Sequence, residues 1–395
     1  PRDAGAAGHD RQVSATMLPP GSWLGCLGGG QLGRMFVHAA QAMGYKVLVL
    51  DPDASGPAAQ AADDIVVAAY DDMQAVAAFG KRVAAVTTEF ENVPAATLEA
   101  LAAVVPTRPA AEAVRIAQDR RREKRFFSDH GLPVGPFAVI ERAEDLRAAP
   151  PTLFPGILKT ATLGYDGKGQ QRVTSVEQAL LAWMSMKQAP CVLEALIPFE
   201  REISVLVARG ADGNTAVWPV QENQHVGGIL DLTIVPARID GTRLAEAQDL
   251  ARRLVSALDY VGVLCVEMFV TADGLLLNEI APRPHNSGHY TIEACVTSQF
   301  AQQARILAGA PLGDTSLVQP AVMVNLLGDV WFDAAAPMQP AWPEVLALPG
   351  AHLHLYGKAE ARRARKMGHV TCTGATLDSA LATAQRVKQI LRIAA

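Results

Sequence analysis

The sequence predicts an α/β domain, then an α+β region, then a small third unit. Three observations carry this. From Trp23 to Thr88 short apolar strands alternate with alanine-rich helices, the pattern of a parallel sheet with helices on its faces. After the charged stretch around Ala110–Gly131 the texture changes to hairpin-like strands. From Ala321 a strand, an alternating segment and a closing amphipathic helix follow.

The bulk numbers allow this organisation. A chain of 395 residues has room for more than one domain, since domains run about 100–200 residues. Half of it is hydrophobic, enough for a sizeable core, and 19% charged residues argue against wholesale disorder. Lys and Arg number 35 against 40 Asp and Glu, a net charge of −5. No global field therefore attracts nucleic acid or an anionic membrane. No window approaches 18 uncharged apolar residues, so no transmembrane helix is expected. Residues 1–22 lack an apolar core and do not read as a secretory signal. They are expected to be a disordered extension, with Met17 a native start. The cysteines Cys26, Cys191, Cys265, Cys295 and Cys372 show no metal or disulfide spacing, which predicts buried, reduced thiols.

Each element has a local cause. Trp23–Leu27 is an apolar strand, Gly28–Gly30 a turn, and Gln31–Met43 a helix. Lys46–Leu50 is a second buried strand, closed by Asp51-Pro52; Asp64–Val67 and Ala84–Thr88 are further strands. Ala110–Gly131 reads as one charged helix leading into the next domain. There, strands are expected at Gly156–Lys159, Gln171–Val173, Cys191–Glu194, Glu202–Ala208 and Thr215–Val220. A helix at Arg243–Leu258 precedes strands Val263–Val270 and Leu275–Ile280, joined by Thr271-Ala272-Asp273-Gly274. A helix near Ser298–Ala308, strands at Ala321–Leu327 and His352–Tyr356, and the helix Leu377–Ile393 complete the reading.

Five segments carry chemistry. Gly28-Gly29-Gly30-Gln31-Leu32-Gly33 opens a helix, so glycines and a helix N-terminus can meet a phosphate. It also matches the dinucleotide pattern, with Asp51 at the distance of a ribose-binding acid. Lys159 ends a strand before Gly164–Gln170, a glycine-bearing loop suited to cover a polyphosphate. Glu267 and Glu279 lie on the two strands of the Thr271–Gly274 hairpin. Both can point to one face, and with Asn278 they form an oxygen-rich site for Mg²⁺ carrying ATP phosphates. Arg283-Pro284-His285-Asn286-Ser287-Gly288-His289 is a donor-dense loop that would orient a substrate. The run from Arg362 to His369 is basic in an acidic chain, and part of it is expected to turn inward to an anion.

In this order, the segments resemble the ATP-grasp superfamily and, within it, the N5-carboxyaminoimidazole ribonucleotide synthase family. The most specific parts are GGGQLGRM (Gly28–Met35), GYDGKGQ (Gly164–Gln170), NEIAPRPHNSGH (Asn278–His289) and RKMGH (Arg365–His369), and the likeness runs from about Trp23 to the end. It implies a Rossmann-like N-terminal domain at 23–118, an ATP-grasp domain at 119–312 and a small C-terminal domain at 313–395. It implies that ATP phosphorylates bicarbonate and that the carboxyphosphate delivers CO₂ to the amine of aminoimidazole ribonucleotide in purine synthesis. Arg120 and Lys159 would contact ATP phosphates beneath the flap Gly164, Tyr165, Asp166, Gly167, Lys168, Gly169 and Gln170. Glu194, Ala195, Leu196 and Ile197 would hold adenine, and Glu202 the ribose, with His225 and Asn278 also at nucleotide positions. Glu267 and Glu279 would be the metal ligands, for Mg²⁺ or Mn²⁺. Gly30, Gln31, Leu32, Arg283, Asn286, Ser287, His289, Arg365 and Lys366 would surround the ribonucleotide. Asp166, Lys366, Arg283 and Asn286 would be catalytic. The likeness further implies a cytoplasmic homodimer whose partners are small molecules, not nucleic acid or membrane.

Three rivals make different demands. A formate-dependent transformylase of purine synthesis would use formate in place of bicarbonate. An NAD(P)-dependent oxidoreductase, built on the Gly28–Gly33 match, predicts nicotinamide binding and leaves the Glu267/Glu279 hairpin unexplained. A non-catalytic nucleotide sensor could dispense with Lys159 and the metal carboxylates.

Overall fold

The computed structural model describes residues 17–162, 164, 169–333 and 336–394. Four parallel strands form the N-terminal sheet: β1 (Trp23–Leu27), β2 (Lys46–Asp51), β3 (Asp64–Val67) and β4 (Ala85–Thr88), in the order β3-β2-β1-β4. The helices α1 (Gln31–Ala42), α2 (Met73–Gly80) and α3 (Ala95–Ala102) cover it. The strand order reverses between β1 and β4, where α/β sheets open a crevice at their carboxyl ends. The Gly28–Gly33 turn lies there.

Residues 17–22, assigned from sequence to a disordered extension, are tied down instead. Leu18 N–H donates to Ala308 O at 2.8 Å, the Tyr45 hydroxyl to Leu18 O at 2.9 Å and Gly21 N–H to Gly44 O at 2.7 Å. Leu18 also packs against the N-terminal core. The residues at 1–16 lie outside the described structure.

The charged stretch at Ala110–Gly131 is two helices, α4 (Ala111–Ala117) and α5 (Arg120–Asp129). Asp119 breaks them: its backbone is extended and its carboxylate accepts from Arg121 N–H at 2.9 Å, an N-cap. A second sheet follows, antiparallel, in the order β5-β8-β6-β7. Its strands are β5 (Phe137–Ile140), β6 (Gly156–Thr160), β7 (Gln170–Val173) and β8 (Cys191–Ala195). The helices α6 (Ala143–Arg147) and α7 (Val176–Ser185) close its core.

The third sheet is antiparallel. It runs β14-β13-β9-β11-β12-β15-β19-β18, with β10 paired to β9. The strands are β9 (Arg201–Arg209), β10 (Thr215–Val217), β11 (Gln221–Val226), β12 (Ile229–Val235), β13 (Gly262–Thr271), β14 (Gly274–Ala281), β15 (Ala321–Leu327), β18 (Ala351–Leu355) and β19 (Lys366–Thr373). The short pair β16 (Phe332–Asp333) and β17 (Ala336–Pro337) stands apart. The C-terminal segment is not a separate sheet: β15 pairs with β12 from Leu232↔Val324 to Val235↔Ala321. Around it lie α8 (Gly241–Ala257), α9 (Thr291–Ala294), α10 (Gln299–Leu307), α11 (Trp342–Leu346) and α12 (Leu377–Ile390). Helix α10 shares a cluster with α1, through Phe300, Ala304 and Leu307 against Phe36 and Ala40, and so seats the N-terminal sheet on the central one. All five cysteines are buried and unbridged.

Candidate active site

The β13–β14 hairpin sets the two acidic residues. From the turn, the ladder runs Thr271↔Gly274 to Met268↔Leu277, and the next step would set Glu267 against Asn278. A β-bulge intervenes, and Glu267 pairs with Glu279. Bulges re-aim side chains in this way. Without it, the period of two would send Glu279 to the opposite face. Burial and the charge of Glu279 push the Glu267 carboxyl well above the usual range. Burial also opposes charge on Glu279, but Arg120 outweighs it and holds that carboxyl low, with Lys159 and Lys124 adding to the effect. Arg120 Nη1 donates to Glu279 Oε2 at 2.7 Å, and Glu279 keeps 39% of its side-chain surface open to the cleft.

These groups suit a hard divalent cation, which takes oxygen ligands. Buried Asn278 Oδ1 has no hydrogen-bond partner among the described residues, as an oxygen awaiting a ligand would. Cys265, Glu267 and His285 also bring one ligand atom each within 4.8 Å of one another. Burial, Arg283 and Lys366 push the His285 imidazole down to about 3, so it is neutral at physiological pH. Its Nε2 lies 3.3 Å from Glu267 Oε1 and its Nδ1 2.9 Å from Ser287 Oγ.

Cations gather beside the carboxylates. Lys159, at the end of β6, sits 3.1 Å from Glu194 Oε2, and Lys124 of α5 sits 3.2 Å from the same oxygen. Burial lowers the Lys159 amine from its ordinary range, opposed by Glu194. The second Glu194 oxygen is buried without a partner among the described residues. Arg120 Nη2 also reaches Gly164 O at 3.4 Å, tying the base of the expected flap to the β13–β14 hairpin. Tyr165, Asp166, Gly167 and Lys168 lie outside the described residues. Gly169 has φ +71°, and a Cβ there would stand 2.6 Å from Thr160 Oγ1, so this end of the loop requires glycine. Across the cleft, His225 Nδ1 lies 2.6 Å from Glu202 Oε2. Burial opposes its charge, but Glu202, Glu267 and Glu279 raise the imidazole above its ordinary value.

The Arg283–His289 loop is fixed from behind by Gln299. Its Oε1 accepts from His285 N–H at 2.8 Å; its Nε2 donates to His285 O at 2.8 Å and lies 3.1 Å from His289 Nδ1. Ser287 is fully buried, its Oγ 2.9 Å from Ser204 Oγ. Asn286 Nδ2 is buried without a partner among the described residues. Arg283 is ion-paired with Glu91. The ring of His289, expected at the ribonucleotide, is 1% exposed among Phe300, Tyr356 and His369. It supports the loop from within rather than facing the cleft.

The glycine turn differs from expectation. Gly30 N–H donates to Glu89 Oε1 at 2.9 Å and Gly33 N–H to Glu89 Oε2 at 3.1 Å. A helix start attracts any anion, and here the chain supplies its own. Gly30 N–H is therefore engaged with Glu89 rather than open to a phosphate. Asp51 accepts from Gly29 N–H at 2.6 Å and from the Tyr70 hydroxyl. The turn holds its own carboxylates where a dinucleotide would need its pyrophosphate and ribose. In the basic run, Arg362 and Arg363 meet Glu360 and Asp329 on the surface, and Arg365 Nη1 donates to Glu360 O at 2.9 Å. Lys366 begins β19, and its charge acts on both Glu267 and His285. The N-terminal and C-terminal parts meet nearby, where Gln60 Nε2 donates to Gly357 O at 3.2 Å.

Three family models match the chain in the order of these parts: the ribonucleotide synthetase preATP-grasp domain at 22–118, the ATP-grasp domain at 125–300 and the phosphoribosylaminoimidazole carboxylase C-terminal domain at 321–383. The N5-carboxyaminoimidazole ribonucleotide synthase of Brucella melitensis is 46% identical over 91% of this chain and 98% of its own length. The chain belongs to the N5-carboxyaminoimidazole ribonucleotide synthase family. An ADP complex of an N5-carboxyaminoimidazole ribonucleotide synthetase superposes with TM-score 0.89 at 43% identity, covering 96% of this chain and 99% of the other. The Aspergillus clavatus N5-carboxyaminoimidazole synthase, in complex with ADP and 5-aminoimidazole ribonucleotide, gives 0.85 at 33%, covering 94% and 99%.

The enzyme is an ATP-grasp ligase that forms a C–N bond, in the ATP-dependent carboxylation of aminoimidazole ribonucleotide for purine biosynthesis. That settles the formate, oxidoreductase and sensor readings against themselves. Among the described residues no helix is long and apolar enough to cross a membrane. Sequence reasoning missed Glu89, Glu91, Glu123, Lys124 and Gln299. The signal for Glu123 and Lys124 was present: they fall three and four residues after Arg120, on one helix face. Nothing local marked Glu89 or Gln299, whose partners lie 59 and 14 residues away.

Proposed function

We propose that Glu267 and Glu279 hold the divalent cation that accompanies ATP, with Arg120 and Lys159 on its phosphates. The carrying observation is the bulge that pairs Glu267 with Glu279 beside Arg120, whose guanidinium lies 2.7 Å from Glu279. Mg²⁺, or Mn²⁺ in its place, would neutralise phosphate charge and hold the phosphoryl group in line. The flap from Gly164 to Gln170 covers the phosphates, Glu194 to Ile197 hold adenine, and Glu202 and His225 face the ribose.

A bicarbonate oxygen attacks the γ-phosphorus as the bond to the ADP oxygen breaks, giving ADP and carboxyphosphate. Carboxyphosphate releases CO₂ and inorganic phosphate, and the exocyclic amine of the ribonucleotide attacks the CO₂ carbon, then loses a proton. Carboxyphosphate does not survive water, so the closed flap must exclude it. Asn286 and Arg283 orient the ribonucleotide, Ser287 holds their loop, and Arg365 and Lys366 meet its phosphate. Gln31 and Leu32 line the entry from the N-terminal side through their backbone, and Asp166 and Lys366 lie by the amine. The chain divides at about residues 118 and 312, and acts as a cytoplasmic homodimer.

The test is phosphate release from ATP, Mg²⁺ and bicarbonate, with and without aminoimidazole ribonucleotide. Glu279→Gln should lose turnover by about 100-fold or more, as removal of a charged transition-state contact does. Near-normal ATP consumption by that variant would sink the metal assignment.

A further inference from the structure

Helix α5 turns three side chains to one stretch of β14. Arg120, Glu123 and Lys124 share a helix face by their spacing. Arg120 Nη1 donates to the Glu279 carboxylate at 2.7 Å. Lys124 Nζ donates to the Asn278 carbonyl at 2.7 Å, and Ile280 N–H donates to Glu123 Oε1 at 2.8 Å. The residues before and after Glu279 are thus gripped by adjacent residues of a single helix. This is also where the bulge interrupts pairing with β13. A bulge leaves its extra residue without a cross-strand partner and makes the local backbone direction negotiable.

Glu123 and Lys124 are each only 2% exposed. Charged residues are almost never so deep unless they are paired, and replacing a whole buried ion pair by well-packed apolar residues is often neutral or stabilising. Packing α5 on β14 does not by itself call for them. Their direction does: one donor and one acceptor, aimed at the carbonyl and amide that flank one carboxylate. Lys124 in addition lies 3.2 Å from Glu194 Oε2, so the same ammonium joins the nucleotide pocket to the bulge.

We propose that Glu123 and Lys124 are positioning residues for Glu279, fixing the bulged backbone so that this carboxylate meets the same cation as Glu267. The proposal rests on the metal assignment of Glu267 and Glu279 made above. Groups that orient metal ligands typically change metal affinity or activity by about 10–100-fold when removed.

The test is a titration of the full-length enzyme against free Mg²⁺, in excess of the ATP present. It is read as phosphate release with ATP, bicarbonate and aminoimidazole ribonucleotide saturating and, separately, as equilibrium binding of Mn²⁺ to the enzyme with ADP. Glu123→Ala and Lys124→Met should each raise the half-saturating Mg²⁺ concentration by about tenfold or more. Their KM for aminoimidazole ribonucleotide should stay at the wild-type value. Glu123→Gln keeps an oxygen that accepts from Ile280 N–H, and should restore the wild-type Mg²⁺ requirement that Glu123→Ala loses. Half-saturation does not depend on the active fraction, so a poorly folding preparation still reports it. An unchanged Mg²⁺ requirement in both Glu123→Ala and Lys124→Met overturns the proposal, as does a parallel rise in the ribonucleotide KM. Glu279→Gln, run alongside, separates the two levels. If it is inactive while the α5 variants titrate normally, the clamp alone fails; if it keeps Mg²⁺-dependent turnover, the metal reading fails.

Discussion

At the scale of the residue, position decides charge. Glu279 stays ionised because Arg120 faces it, while its partner Glu267 is pushed the other way by burial and by Glu279 itself. The cation proposed above would remove that conflict. Lys366 adds a positive charge whose field acts on Glu267 and His285. Lys366→Ala should therefore lower ribonucleotide-dependent turnover by about tenfold or more, the weight of one charge-assisted contact. ATP affinity, followed by nucleotide titration, should hold; equal losses in both would remove Lys366 from the substrate site. Glu123 gives a pH prediction. Burial pushes its carboxyl up to about 8 from an ordinary 4.5. Between these values the folded enzyme keeps a proton that the unfolded chain has released. Its stabilising contribution is thus full below the unfolded pKa and lost as pH rises through the folded one. The Tm of metal-free wild type should fall relative to Glu123→Gln across that window, by about 2–4 °C for each kcal/mol. Parallel curves would mean that Glu123 is ionised throughout.

At the scale of the element, the decisive features are interruptions. The bulge in the β13–β14 ladder puts Glu279 opposite Glu267, and Asp119 ends one helix so that Arg120 can begin the next. The Arg283–His289 loop is equally constrained. A Cβ on Gly288 would meet both Gln299 Oε1 and Leu206 Cδ1 at 2.5 Å. Gly288→Ala should destabilise the enzyme by about 1–3 kcal/mol, the scale of overpacking a tight site. Because Gln299 holds both ends of His285, the displacement should reach the substrate side of the cleft first. Thermal melts should show the loss of stability, and steady-state kinetics a higher ribonucleotide KM at near-normal ATP KM. An unaltered melting curve and ribonucleotide KM would show that the loop has slack.

At the scale of the whole molecule, one sheet joins the β13–β14 hairpin to the last strand. Ile234 of β12 packs in one cluster with Val322, Val370 and Val387, so the C-terminal segment shares its core with the central region. Loss of β15 would bare the edge of β12 and its buried face, an aggregation hazard. Unfolding of the central and C-terminal parts should accordingly be one transition. Trp218 lies in the central region and Trp331 and Trp342 in the C-terminal part, so single-tryptophan variants can report each. Coincident melts are expected, and midpoints more than about 5 °C apart would mean that the shared strand pairing does not couple them.

The sequence alone determined the N-terminal alternation of strands and helices, the hairpin that carries Glu267 and Glu279 and the family likeness, because periodicity, turn residues and contiguous motifs are local. It did not mark β5, β11 or β12. By the same locality, Lys159, Glu267, Glu279, Arg283 and Asn286 stand out in the sequence as candidates. Tertiary structure decided what local pattern cannot carry. A ladder counted from the turn does not reveal the bulge, beside which α5 supplies backbone partners from a remote part of the chain. The glycine turn reads as an open anion site until Glu89, distant in sequence, folds onto it. His289 sits in the same motif as Asn286 but points the other way, into packing against Phe300 and His369. Which face a side chain takes depends on what packs behind it, and those neighbours come from remote parts of the chain.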